Sequence, residues 1–279
     1  MMKKLLAFLL ALSMLVAFAA CSDENEEGTL DLDKYIQQEV ILTSYTDEDG
    51  HTFTFEALDS DSVAITGYSG SNSLHGITVP ASVVTGADAS ISTKKVAAIA
   101  PQAFSGVSAI TSVVLPEGLT SIGKQAFADC VQLASVTLPS TIKTIDEAAF
   151  YNCGLTEINF PATCGLTEIA PSTFQNCTAL TSVTVPGYIA TIGQGAFMGC
   201  TALKTVVLSE GVSVVGNQAF QNTTALASLT LPATFTNTDP YADLAFSGSD
   251  VLYRENIVCG GDAATAYADK MPLATAPEA

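Results

Sequence analysis

The stretch Gln125-Ala126-Phe127-Ala128-Asp129-Cys130-Val131-Gln132-Leu133-Ala134-Ser135-Val136-Thr137-Leu138-Pro139 holds the pattern on which the fold turns. Val136 and Leu138 alternate with polar residues, as a half-buried strand does. Pro139 ends that strand, because it has no N–H to give to a ladder. The same letters recur on both sides. Phe104, Phe127, Phe150, Phe174, Phe197 and Phe220 are spaced 23, 23, 24, 23 and 23 residues apart. Ala precedes five of them, and Thr173 precedes Phe174. Three residues after the inner four stand Cys130, Cys153, Cys177 and Cys200, with Val107 and Thr223 in the outer two. A strand signal follows each: Ile110/Val113/Leu115, Leu133/Val136/Leu138, Leu155/Ile158/Phe160, Leu180/Val183/Val185, Leu203/Val206/Leu208 and Leu226/Leu229/Leu231. A second apolar pair precedes each phenylalanine, from Val96/Ile99 and Leu119/Ile122 to Val212/Val215. The segment around each phenylalanine lacks strand alternation and reads as a short helical turn that drops the ring into the core.

One such unit cannot bury its apolar side alone, whereas stacked units bury a continuous core. The four cysteines at one repeat position form an inward ladder. Their parallel directions favour reduced core thiols; disulfides between adjacent rungs are the alternative. A linear ladder does not converge on a metal as a tetrathiolate site must.

This pattern resembles the BspA-type leucine-rich repeats, a 23-residue class of bacterial surface proteins, over roughly residues 74 to 260. The resemblance implies a right-handed solenoid with a parallel sheet along one face. The fold class is thus an α/β leucine-rich-repeat solenoid, strand-dominated, with about six repeats, an N-terminal β-hairpin cap and a C-terminal helical cap. The resemblance also implies adhesion to a protein partner, host or matrix proteins among them.

Irregularities mark the ends and loops. Thr52–Leu58 and Ser62–Tyr68 read as a starting hairpin, and Thr85–Lys95 as a polar segment. Extra residues between Pro161 and Leu166 leave Cys164 in an exposed insertion, and Thr236–Tyr241 form a bulge. Past it the repeat decays, with Glu255 where Val is due. Asp262 caps a final helix that Pro272 stops, with Ala263, Tyr267 and Met271 on one face.

The N-terminus carries a different signal. Met1–Lys4 is short and basic, and Leu5–Ala20 is apolar except for Ser13, the form of a secretory signal. Ala17-Phe18-Ala19-Ala20-Cys21 resembles a lipobox, which implies lipidation of Cys21 after cleavage; Phe18 replaces the usual aliphatic residue. Ordinary cleavage near Ala19 or Ala20, leaving Cys21 as a thiol, is the alternative. The polar, acidic run after Cys21 is a solvated tether. The expected organisation is signal peptide 1–20, tether 21–36, β cap 37–73, solenoid 74–250 and C-terminal cap 251–279.

Ten Lys and Arg against 28 Asp and Glu give a net charge of −18, which repels phosphate backbones and excludes nucleic-acid binding. His51 and His75 are the only histidines, a poor start for a metal site or a triad. Ser92-Thr93-Lys94-Lys95 matches a Ser-x-x-Lys nucleophile pattern but lacks its companion motifs, and reads as a polar loop. Asp47-Glu48-Asp49-Gly50 lacks the further ligands of a calcium loop and reads as a hairpin turn. No catalytic constellation, metal site or cofactor is expected. The outward strand positions are small and hydroxyl-rich; Thr156, Glu157, Asn159, Ser182 and Lys204 are the candidate binding residues on that face, and Glu157 and Lys204 are its only charges. Tyr151 and Met198 each follow a core phenylalanine and are placed to meet partners from the convex side. The sequence therefore points to a monomeric, non-catalytic, lipid-anchored surface protein of a bacterial envelope that binds proteins. A structural or assembly component of the envelope is the alternative.

Overall fold

The computed structural model describes residues 43–85, 92–233, 235, 237, 244–249 and 251–271. The signal segment, Cys21, the tether, most of the Thr236–Tyr241 bulge and Pro272 lie outside the described residues. The chain divides into two units. The smaller takes residues 1–42 and 85–92; the larger, residues 43–84 and 93–279, holds the rungs described below.

The larger unit opens with β1 (Ser44–Thr46), β2 (Thr52–Ala57) and β3 (Ser62–Ser69), an antiparallel meander. The expected hairpin is its second half, and β1 is an added strand. Asp47 builds the first turn. Its Oδ1 accepts the amides of Asp49 (3.0 Å) and His51 (2.8 Å), its Oδ2 lies 2.9 Å from His51 Nδ1, and Gly50 supplies a φ of +84°. Burial disfavours the Asp47 charge, yet the bonds from His51 and Asp49 and the His51 ring hold its carboxyl below the usual range.

From here pairing turns parallel. β4 (His75–Thr78), β5 (Ser82–Thr85) and β6 (Ser92–Ile99) begin the stack, and β6 pairs with β3 and β5. Ser92–Lys95 is therefore strand and not loop: it runs straight into the part of β6 that registers with β3, where Lys95 faces Ser62 and Val96 faces Val63. The rungs then supply β7 (Ile110–Val114), β8 (Ser121–Ile122), β9 (Ser135–Thr137), β10 (Thr144–Ile145), β11 (Glu168–Ile169), β12 (Ser182–Val185), β13 (Thr191–Ile192), β14 (Thr205–Leu208), β15 (Val214–Val215), β16 (Ser228–Leu231) and β17 (Ile257–Cys259). Registry places like on like, as Val113 on Val136 and Val183 on Val206 on Leu229.

The third side of each rung is a run of β-turns, where a helical turn was expected. Two residues before each phenylalanine from Phe104 to Phe220 the backbone is left-handed, at Gln102, Gln125, Ala148, Ser172, Gly195 and Gln218. Two residues after each of these and after Phe246, it is left-handed again, at Gly106, Asp129, Asn152, Asn176, Gly199, Asn222 and Gly248. A right-handed helix cannot contain such residues. The alternation instead aims amides along the stack, so that Gln102, Phe104 and Gly106 donate to Lys124, Ala126 and Ala128 of the next rung.

Seven phenylalanines, Phe104 through Phe246, stack at 4.8–5.6 Å with planes within 15°. Tyr68 closes the first end, its ring 5.4 Å from that of Phe104. Beside the rings the four ladder cysteines are free and buried. Each thiol donates to the phenylalanine carbonyl of the preceding rung, Cys130 to Phe104 (3.1 Å) through Cys200 to Phe174 (3.2 Å). Thr223 occupies the same place in the sixth rung and pairs with Ser249 of the seventh at 3.0 Å.

The repeat continues further than its letters suggest. Phe246 and Leu252 are buried in a seventh rung, and Ile257 takes the place read as Glu255, facing Leu229. A short 3-10 turn, Arg254–Asn256, absorbs the extra residues. The final helix α1 (Asp262–Ala268) has Gly261 at its N-cap, without a side-chain bond, so Asp262 is its first residue and not its cap. Its buried stripe is Ala264, Tyr267 and Ala268, with Met271 beyond it; Ala263 is exposed. Asn237 finishes the short-strand side: its amide donates to Ser213 and its Oδ1 accepts the Val215 amide, as a strand would. Among the described residues no helix is long and apolar enough to cross a membrane.

Candidate functional site

The longer strands present one face outward. Between the buried Val113, Val136, Ile158, Val183, Val206 and Leu229 stand Ser112/Val114, Ser135/Thr137, Glu157/Asn159, Ser182/Thr184, Thr205/Val207 and Ser228/Thr230. Alternation alone produces this, because successive residues of a strand point to opposite faces. Thr156, Glu157, Asn159, Ser182 and Lys204 are all exposed. Backbone bonds order one column, in which Lys204 donates to Thr181 (2.9 Å), Thr181 to Thr156 (3.2 Å) and Thr156 to Ala134 (3.0 Å). Ser182 faces Thr205 in the next rung.

This face is not one sheet. The longer strands form β4-β7-β9 and β12-β14-β16-β17, and the third rung supplies no strand between them, joining through the Thr156 bonds and a bridge between Asn159 and Thr137. The short strands break in the same neighbourhood, between β10 and β11. Segment 156–165 is flanked by both breaks. Its insertion tucks inward: Cys164 is half-buried and packs against the core, not exposed. Tyr188 covers the insertion, its hydroxyl donating to the Pro161 carbonyl at 2.5 Å. Burial, then the Cys164 thiol beside it, raises the Tyr188 hydroxyl pKa. The turn side continues unbroken, with Phe150 donating to Thr173 at 2.9 Å.

The other motifs resolve into structure. Asp47, Asp49 and His51 bring ligand-type atoms within 4.8 Å of one another, but Asp47 spends both oxygens on the turn. Lys94 donates to the Asp59 carbonyl at 3.3 Å. The break in both ladders was missed from sequence, although the 24-residue spacing before Phe174 is its signal.

Comparison with known proteins agrees with this architecture. The BspA type Leucine rich repeat region family matches residues 97–187 and 167–253, in six copies. No curated protein matches the chain. A leucine rich cell surface protein from Faecalibacterium prausnitzii is similar, at 30% identity and a TM-score of 0.61, over 78% of this chain and 55% of that one. The T. pallidum Leucine Rich Repeat protein is similar at 29% identity and a TM-score of 0.54, over 63% of this chain and 77% of its own. The chain thus spans little more than half of the F. prausnitzii protein. Matched across more than half its length, and built rung on rung as the repeats require, the chain belongs to the BspA-type leucine-rich repeat family.

Proposed function

We propose that this chain is a lipid-anchored protein of the bacterial cell surface that binds a protein partner, in the manner of an adhesin, without catalysis. The observation that carries the reading is the exposed strand face, interrupted at the third rung. There Thr156, Glu157 and Asn159 lie outside any named strand, beside Ser182 of the fourth rung and Lys204 of the fifth. A regular face of Ser, Thr and Val offers few anchors of the kind that dominate interfaces. The irregular third rung carries the charge of Glu157, and Lys204 two rungs on carries the opposite one, which supplies distinction. Rungs three to five, with their neighbours, span enough for an interface of about 800 Å² per partner. The cell-surface description of the F. prausnitzii protein supports the placement, and Cys21 with its acidic tether supplies the anchor.

The test is a pull-down of envelope-facing host proteins with the chain and with a Glu157→Lys/Lys204→Glu variant. The variant is expected to lose the partner. Equal recovery by both removes the face as the site. Protection of the solenoid from protease on intact cells supports instead the second reading, an internal envelope component.

A further inference from the structure

The turn side of the stack carries a second surface of different chemistry. One residue after each core phenylalanine stand Ser105, Ala128, Tyr151, Gln175, Met198, Gln221 and Ser247. The side chains are small at both ends and long on four consecutive rungs. The next position is left-handed in every rung, which accounts for its Gly, Asp and Asn. No such backbone demand exists at the Tyr151, Gln175, Met198 and Gln221 positions, which are absent from the left-handed set. All four residues are half-buried and in part open to solvent.

Hydrogen bonds fix the neighbouring amides. Asn152 Nδ2 donates to Asp129 Oδ1 at 2.9 Å, and Asn176 Nδ2 donates to the Tyr151 hydroxyl at 3.3 Å. Gly199 leaves room for Asn176, since any Cβ there would collide with its Oδ1. From Tyr151 to Asn222 these two columns contain no charged residue, in a chain of net charge −18.

A carboxamide presents donor and acceptor together, which matches a sugar hydroxyl that is also both. A tyrosine ring adds an apolar body with a polar tip. Successive rings from the third to the sixth rung advance by 5.6, 5.3 and 5.1 Å, close to the advance of one hexose along an extended β-1,4-linked chain. We propose that Tyr151, Asn152, Gln175, Asn176, Met198 and Gln221 form a shallow strip that binds an extended, neutral polysaccharide, about one sugar to each rung.

The test is native electrophoresis of the full chain in detergent micelles, through gels containing hydroxyethyl cellulose, β-1,4-mannan or xylan. Carboxymethyl cellulose serves as the anionic counterpart. Retardation is expected in at least one neutral gel and less in the anionic one. Tyr151→Ala and Gln175→Ala are each expected to weaken it about ten-fold, the loss of one stacking or hydrogen-bonding group. Tyr151→Phe, which keeps the ring, should retain most of it. The Glu157→Lys/Lys204→Glu variant should be retarded like the parent, which separates this strip from the strand face. No retardation in any neutral gel, or equal retardation of the Tyr151→Ala/Gln175→Ala double variant, overturns the proposal.

Discussion

Phe150 shows what one residue contributes here. Its ring is fully buried between Phe127 and Phe174, at 5.3 and 5.6 Å. Its amide also joins its own rung to the next. Phe150→Ala is expected to cost about 3–5 kcal/mol, from lost transfer energy and an unfilled cavity; chemical denaturation with an unchanged midpoint would remove it from the core. The cysteine ladder is the second residue-scale case. Burial pushes the Cys130 and Cys177 thiols up to about 12, and raises those of Cys153 and Cys200 as well. A thiol so raised stays protonated, and thiolate is the reactive form. Alkylation of the folded chain between pH 7 and 9 should therefore label Cys164 and Cys259 and spare the four ladder thiols. Mass spectrometry of peptides decides this, and early labelling of Cys153 would contradict the burial. The reading of these four as reduced was available from their shared repeat position. Their bonds to phenylalanine carbonyls were not, because that geometry depends on where the turn side places each carbonyl.

At the scale of elements, the interesting feature is an absence of pairing. Amides along a strand alternate sides, so Val183, two residues after Thr181, faces the third rung as Thr181 does. No strand stands there to receive it, whereas Val206 of β14 faces the paired β12. Hydrogen exchange at Val183 is expected to be faster than at Val206; equal protection would mean that the ladder is continuous. The turn side compensates, since its bonds and the ring stack cross the break. The short strands were legible as apolar pairs, such as Ile142/Ile145. The turns read as a helical turn because Gln, Ala and Ser fill most of the first left-handed column, although the Gly, Asp and Asn of the second column were their signal.

Across the whole molecule, charge sets a further term. A net charge of −18 makes the folded chain repel itself, and salt screens that repulsion. The melting temperature is expected to rise between about 10 mM and 150 mM sodium chloride, over which the Debye length falls from about 30 to 8 Å. A fall over that range would show that attractive ion pairs dominate. The described ion pairs do not favour that outcome: Lys124–Glu147 and Arg254–Asp269 both lie in solvent, where such contacts contribute little. The ends of the stack are closed by different devices, Tyr68 and the meander at one and α1 with Asn237 at the other. Both keep the terminal rungs from acting as open templates.

The sequence by itself determined the repeat, its period, its inward residues and its family, because identical rungs must each hide the same apolar positions and so repeat the same letters. It also determined which residues face outward on the strands, since alternation leaves no choice. Tertiary structure alone decided where the ladders stop, how the turn side carries amides through the gap, and that a seventh rung exists after Phe246. These depend on contacts between rungs, and an insertion of one or two residues changes such contacts without changing any local pattern. That is also why the candidate face, visible as a composition in the sequence, acquired its distinctive third rung only in three dimensions.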